Sequence, residues 1–420
     1  MVAETLRGVA EQGGQCLLTK HLLGTVPPVD LTYSEEDQAF RAEVRAWLEE
    51  HLTGDWLALR GLGGPGRDHE AHEERVAWNR LLAEHGWTCL GWPTEYGGRG
   101  LSLVQQVIFH EEYARADAPV RVNHLGEELL GPTLIAFGTE EQKRRFLPKI
   151  VAVEELWAQG YSEPNAGSDL ANVQTKARLE GSADDGEWVI DGQKVWTSNA
   201  HESQWLFVVA RTEPGSERHR GLSFLLVPID QDGVEVRPIE QLTGGSEFNE
   251  VFFTGARTSA DLVVGEPGDG WKVAMALLGF ERGVSVLGQV VGFFRELEAL
   301  LDVAKQNGAI EDPVVRDRLA GLAVELDVIR FQALRGLSED DPAQASIFKL
   351  VWANWHKRLG EVSMDVVGAE GLTAGAPYDL DRWQRLFLFS RADTIYGGSD
   401  EVQRNILAER VLGLPREARG

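Results

Sequence analysis

Glu281 and Arg282 interrupt an otherwise apolar run, "WKVAMALLGFERGVSVLGQVVGFF", which reads as one helix from Trp271 to Phe294. Buried carboxylates are rare unless paired. Consecutive residues on a helix do not face each other, so Arg282 is no partner for Glu281. With little charge nearby, desolvation should raise the Glu281 pKa toward the working pH, as a general base requires. The other account is a structural glutamate paired with an arginine from a different helix. Glycines 279, 283, 288 and 292 thin the same run, either leaving room for a bulky ligand or allowing close helix packing.

Three further runs carry chemistry. "GYSEPNAGSDLAN" sets Ser162 and a Gly167-Ser168-Asp169 turn among small residues. Exposed backbone N–H groups together with the two serine hydroxyls could ligate a phosphate or a polar ring edge; an ordinary Asx/Ser loop has the same composition. "KVWTSNA" puts the Trp196 indole beside hydroxyls, Ser198 among them, which suits a flat heteroaromatic ligand or a plain core tryptophan. "IYGGSDEVQ" places Gly397, Gly398 and Ser399 before a helix, either to bring backbone against a ligand or simply as an N-cap by Ser399 or Asp400.

These runs sit on three successive textures. Residues 34–155 are helical: "SEEDQAFRAEVRAWLEEHL" places Phe40, Val44, Trp47 and Leu48 on one stripe, and Thr139 with Gln142 forms a capping-box pattern. Residues 156–266 turn to short β-type runs, with "EWVIDGQKVWTS" expected as a hairpin on Asp-Gly. Residues 267–420 are helical again. Residues 1–33, with no long apolar core behind a basic start, are expected to be an irregular extension rather than a signal peptide or membrane span. No G-x-G-x-x-G or Walker-type loop follows an expected strand, so a nucleotide cofactor needs another device.

The 420 residues suffice for two or three packed domains. Net charge is −25, from 41 basic and 66 acidic residues, which argues against a nucleic-acid or anionic-membrane partner. Two cysteines, Cys16 and Cys89, with no CxxC pair, argue against a disulfide framework or a thiolate metal site, and fit a reducing cytoplasm.

In order, "GYSEPNAGSDLAN", "DGQKVWTSNAHESQW", "VVGAEG" and "IYGGSDEVQRNILAERVLG" lie on a helical–β–helical frame. From about Ser34 to Pro415 the chain resembles the acyl-CoA dehydrogenase family, flavoenzymes that desaturate acyl-CoA thioesters between the α and β carbons. The resemblance implies an α+β fold: an N-terminal helical domain, a central β-barrel or sandwich, and a C-terminal four-helix bundle. It implies FAD, with Ser162 at the pyrimidine edge and Gly167 in the same cofactor loop. Ser168 would sit by the pyrophosphate and substrate, Trp196 and Ser198 along the ring, and Gly368, Ser399 and Glu401 at further FAD contacts, some across a subunit interface. Arg282 and Gly398 fall to the substrate side. An oligomer is implied, homotetramer or heterotetramer, with an electron-transferring flavoprotein as acceptor.

The chain departs from the family pattern at several positions. Asn165 and Asn172 stand where smaller residues are usual, Asp365 where glutamine is common, and the Arg-x-x-Phe-Gly element is absent. Many members carry the catalytic glutamate where this chain has Gly397. A minority, isovaleryl-CoA dehydrogenase among them, place it on the first helix after the β domain, directly before an arginine, and "GFERGV" matches that arrangement. Glu281 is therefore the implied α-proton base, with the Gly397 backbone N–H kept for the enolate oxygen. Arg218, His219 and Arg220 either offer charge to CoA phosphates or form a solvated run. Rival accounts are a non-catalytic subunit of a mixed tetramer, a dehydrogenase of carrier-tethered acyl groups, a flavin monooxygenase, and a relative without FAD.

Overall fold

The structure is a computed structural model that describes residues 33–280, 285–338 and 342–416. By internal contacts the chain divides into Met1–Ala39 and Phe40–Gly420. Of the first unit only residues 33–39 are described, so the expected extension over 1–33 falls almost wholly outside. There the Ser34 hydroxyl accepts from the Asp37 N–H at 3.1 Å and caps the first helix.

Helices α1 (Glu35–His51), α2 (His72–Glu84), α3 (Leu103–Arg115), α4 (Gly131–Phe137) and α5 (Glu140–Val151) form the N-terminal part. On α1 the expected stripe is found, with Phe40, Val44 and Leu48 buried. The capping box at Thr139 and Gln142 is present, and Ser102 with Gln105 makes a second.

The strands are β1 (Trp157–Gly160), β2 (Lys176–Glu180), β3 (Glu187–Ser198), β4 (Trp205–Arg211), β5 (Leu222–Pro228), β6 (Val234–Ile239), β7 (Phe248–Ser259) and β8 (Val263–Val264). Among the described residues they make one sheet in the order β6-β7-β3-β2-β4-β5-β8, with β1 parallel to β4. The sheet curls, for the Thr258 hydroxyl on β7 donates to the Leu226 carbonyl on β5 at 2.6 Å.

β4 is buried on both faces, which explains its unbroken apolar sequence. Trp205, Phe207 and Val209 pack with Phe146 and Ile150 of α5. Leu206, Val208 and Ala210 face a second core with Ile190, Leu225 and Val251.

The Asp-Gly hairpin expected at 191–192 is not formed. β3 runs straight through it, paired with β7 along its length, and absorbs the dipeptide as a register shift between Ile190 and Asp191. Gly192 takes φ +152°, a Cβ there would lie 2.5 Å from Thr175 Oγ1, and Asp191 accepts from the Gly255 N–H at 2.8 Å. The hairpin turn lies earlier, where Gly181 at φ +93° starts the return from β2 to β3.

The C-terminal part holds α6 (Gly270–Phe280), α7 (Ser285–Gln306), α8 (Pro313–Ser338), α9 (Pro342–Val367), α10 (Arg382–Asp393) and α11 (Asp400–Ile406). α7, α8, α9 and α10 bundle around Phe293, Leu297, Leu322, Leu326, Trp352, Trp355, Leu359 and Trp383. Where the sequence suggested a single helix over 271–294, α6 and α7 flank residues 281–284, which lie outside the described residues; so do Glu281, Arg282 and Gly283. Gly288 packs close against His110, 3.2 Å from a would-be Cβ, whereas Gly279 and Gly292 meet nothing within 4 Å among the described residues. No described helix is long and apolar enough to cross a membrane.

Candidate active site

The loop after β1 is pinned from within. Glu163 turns inward, where its carboxylate accepts from the N–H groups of Gln174 (2.5 Å) and Thr175 (2.9 Å) and from Lys194 Nζ (2.8 Å). Lys194, on β3, is fully buried and also donates to the carbonyls of Tyr161 and Val209. Burial alone would raise the Glu163 pKa, but the lysine and the amide donors hold it below the ordinary carboxylate range. With Glu163 fixed inward, its neighbours Pro164, Asn165, Gly167 and Ser168 are exposed and Ser162 is half-buried. The Ser162 carbonyl accepts from the Val195 N–H at 2.9 Å, tying this loop to the strand that carries Trp196.

At that point β3 breaks register a second time, between Lys194 and Thr197. Trp196 sits in the bulge at φ +59°, a conformation few bulky residues adopt, and its side chain is 58% exposed. The indole lies edge-to-face with Phe248, ring centres 6.1 Å apart. A core tryptophan would be buried, so the core account of Trp196 fails. Ser198 is half-buried two residues on, and the buried Thr197 Oγ1 between them has no hydrogen-bond partner among the described residues. A left-handed φ and an exposed aromatic face are together compatible with a flat ligand at this surface.

At the far end of the chain, Gly397 (φ +62°) and Gly398 (φ +86°) form a left-handed turn. Gln403 Nε2 grips the Gly397 carbonyl at 3.0 Å, and a Cβ on Gly398 would fall 2.6 Å from that nitrogen. Ser399 is the N-cap of α11, its hydroxyl accepting from the Val402 N–H, so the local capping role is real. Glu401 is exposed, and Gly368 (φ +68°) stands exposed at the end of α9. Among the described residues no hydrogen bond links Gly368, Gly397, Gly398, Ser399 or Glu401 to the group formed by Ser162, Trp196 and Ser198.

Arg218 pairs with Asp169 at 3.3 Å, which brings the "SERHRG" run beside Ser168. Both side chains are largely solvated, so the pair adds little stability.

Sequence reasoning missed a polar cluster beside the β3 end. Asp68, His72, Arg75, Asn199 and Glu202 line a small cavity, and His72 Nε2 lies 3.0 Å from Glu202 Oε2. Burial, with Asp68 nearby, pushes Glu202 up to about 7, and burial pushes His72 down. Glu247, which accepts from the Gly66 N–H at 2.6 Å, is likewise raised to about 7. These residues are scattered along the chain, and the only local hint was Asn199 and Glu202 trailing the Trp196 motif.

Three family models match in order: acyl-CoA dehydrogenase N-terminal domain over residues 34–154, middle domain over 158–256 and C-terminal domain over 268–412. The acyl-CoA dehydrogenase IpdE1 of Mycolicibacterium smegmatis is 64% identical over 391 residues, covering 92% of this chain and 100% of that protein. IpdE1 of Mycobacterium tuberculosis is 62% identical over 389 residues, with coverage of 92% and 100%. Among solved structures, the Tcur3481-Tcur3483 steroid ACAD superposes with a TM-score of 0.80 at 31% identity, covering 93% of this chain and 100% of that one. A chain of the ChsE4-ChsE5 complex from Mycobacterium tuberculosis gives 0.78 at 31% identity, with coverage of 93% and 100%. The exposed, strained Trp196 beside two serine-bearing segments therefore has a family context: the chain belongs to the acyl-CoA dehydrogenase family.

Proposed function

We propose that this protein carries out FAD-dependent α,β-dehydrogenation of an acyl-CoA thioester to the trans-2-enoyl-CoA, with Glu281 as the α-proton base. The observation that carries the proposal is the end of β3, where Trp196 stands outward in the bulge between Lys194 and Thr197, next to the Ser162 loop and two residues before Ser198. That surface fits a flavin: an exposed indole for the ring and two half-buried serines, Ser162 and Ser198. When bound, FAD supplies the hydride acceptor at its N5.

The chain's own residues divide the remaining work. Ser162 and Ser198 would hold the ring edge, and Ser168 with Arg218 would face phosphate oxygens. Glu281 takes the α-proton, which a carboxylate can do only if the developing enolate oxygen is stabilised. The Gly397 N–H supplies that contact without a side chain, and Gly398 lets the thioester approach the backbone. Arg282 is assigned to the CoA side, and Gly368, Ser399 and Glu401 to outer FAD contacts.

The domain boundaries proposed are 34–155, 156–266 and 267–420, close to the edges of the matched family segments. A cytoplasmic location and an electron-transferring flavoprotein as acceptor complete the proposal. The steroid ACAD among the structural neighbours favours a polycyclic acyl group. Two solved neighbours pair two differently named chains, which favours a second reading, that this chain works as one subunit of a mixed oligomer.

Anaerobic titration of the purified protein with butyryl-, isovaleryl-, palmitoyl- and a steroid-acyl-CoA tests the proposal. The expected result is bleaching of a yellow flavin band by the polycyclic thioester. A protein that neither holds nor takes up FAD sinks it.

A further inference from the structure

A chain of side chains with a buried centre, His356 and Asp393, runs across the C-terminal helices from the half-buried Glu296 to the exposed Tyr396, the residue before Gly397. His356, on α9, is bonded at both ring nitrogens: Nδ1 to Asp393 Oδ2 at 2.5 Å and Nε2 to Glu296 Oε2 at 3.0 Å. Asp393, itself buried, accepts through its other oxygen from the Tyr396 hydroxyl at 2.6 Å. Lys349, one helical face with His356, donates to the Asp393 carbonyl and lies 4.7 Å from the centre of the Tyr396 ring. On the far side of the turn, Gln403 holds the Gly397 carbonyl and Asn354 of α9 holds Asp400 at 2.8 Å.

The network is electrostatically closed. Burial would strip the proton from His356, but Glu296 and Asp393 push its pKa up to about 10, so it sits charged between two carboxylates. Both ring nitrogens of His356 and both carboxylate oxygens of Asp393 have partners, which holds those two rotamers. Two adjacent glycines in left-handed backbone are the most pliable stretch a turn can have. Here that stretch is clamped on both flanks by side chains drawn largely from one helix. A loop serving only to join α10 to α11 needs no such clamp.

We propose that His356 is a positioning residue: acting through Asp393 and Tyr396, it fixes the Gly397 N–H where the thioester oxygen is polarised. The proposal rests on the role of Gly397 given above. An oxyanion donor acts only within a narrow range of distances, and small misplacements far from the chemistry are costly.

The test compares the FAD-loaded full chain with its His356→Gln and Tyr396→Phe variants by amide hydrogen exchange and by anaerobic flavin reduction. The probe is the thioester of the panel above that bleaches the parent. In His356→Gln, amides of 394–400 should exchange at least about tenfold faster while those of α8 keep their protection. Flavin reduction should slow about 10- to 100-fold, with half-saturation moving less than about threefold. Tyr396→Phe removes one oxygen and no packing, and should shift both readouts in the same direction. Parental reduction rates in Tyr396→Phe overturn the proposal even if His356→Gln fails to fold. So does faster exchange without slower reduction. If no thioester bleaches the parent, either alone or with a second chain supplied, the dehydrogenase reading fails first, and the positioning role falls with it.

Discussion

Lys194 Nζ and Glu163 Oε1 lie 2.8 Å apart with the lysine wholly removed from solvent, and this pair, with the Val195 N–H on the Ser162 carbonyl, ties the Ser162–Ser168 loop to β3. A buried pair contributes little net stability over a well-packed apolar one, but breaking it strands a charge.

Lys194→Met should therefore cost about 3–5 kcal/mol, because Glu163 is left buried without its cation. Glu163 has a depressed pKa, so its contribution is complete above the ordinary value of 4.5 and is lost as pH falls through the lower folded value. Urea midpoints for parent and variant at pH 7 and pH 3 check both points: a large gap at pH 7, a smaller one at pH 3. Equal gaps at the two pH values count against the pair.

Trp196→Gly gives a sharper contrast between a ligand surface and a core. A buried tryptophan cut back this far costs about 3–5 kcal/mol or more. Here the indole is 58% exposed, and glycine removes the roughly 1–2 kcal/mol strain of a left-handed φ. The expected change in stability is within about 1 kcal/mol, while the FAD content of the purified protein drops sharply. Thermal melts and the flavin absorbance ratio measure the two effects. A strongly destabilised variant that keeps its flavin contradicts the assignment.

What the sequence showed and hid follows from distance along the chain. The α1 stripe at Phe40, Val44 and Leu48 and the Thr139–Gln142 capping box are local patterns, and both are present. Asp191-Gly192 is local too, yet ambiguous: the dipeptide suits a hairpin turn or a bulge, and only the pairing of β3 with β7 selects the bulge. The pairs Lys194–Glu163 and His356–Asp393 join residues 31 and 37 apart, and nothing in either segment announces the other. Family motifs supplied Ser162, Trp196 and Ser198; the long-range clamps behind them came only with the structure.

Glu202 and Glu247 have pKa values raised from the ordinary 4.5 to about 7, each chiefly by burial and then by the charge of Asp68. Between 4.5 and 7 the folded protein keeps protons that the unfolded chain has lost. Their stabilising effect is therefore complete below 4.5, declines as pH rises to 7, and declines no further. For Glu202, which keeps part of its solvation, screening brings the total below roughly 3 kcal/mol. Glu202→Gln cannot ionise, so its urea midpoint should fall less than the parent's between pH 5 and pH 7.5. Parallel curves for the two proteins exclude the titration.

On the function proposed above, Glu281 is the α-proton base and Gly397 the position it leaves without a carboxylate, and the two positions should substitute for each other in part. Glu281→Gln keeps size and polarity but removes the base, so anaerobic flavin reduction should slow about 10²- to 10⁴-fold with FAD still bound. Adding Gly397→Glu to that variant places a carboxylate on the turn that carries the oxyanion N–H. Recovery should be incomplete, because φ at Gly397 is +62° and a side chain there costs about 1–2 kcal/mol of backbone strain. The double variant should reduce flavin faster than Glu281→Gln and more slowly than the parent. Gly397→Glu alone, with two carboxylates competing for one α-proton, should gain nothing over the parent. If Glu281→Gln reduces flavin at the parental rate, the base lies elsewhere and the swap is wrong. If neither single variant nor the parent reduces flavin until a second chain is supplied, the mixed-oligomer reading prevails.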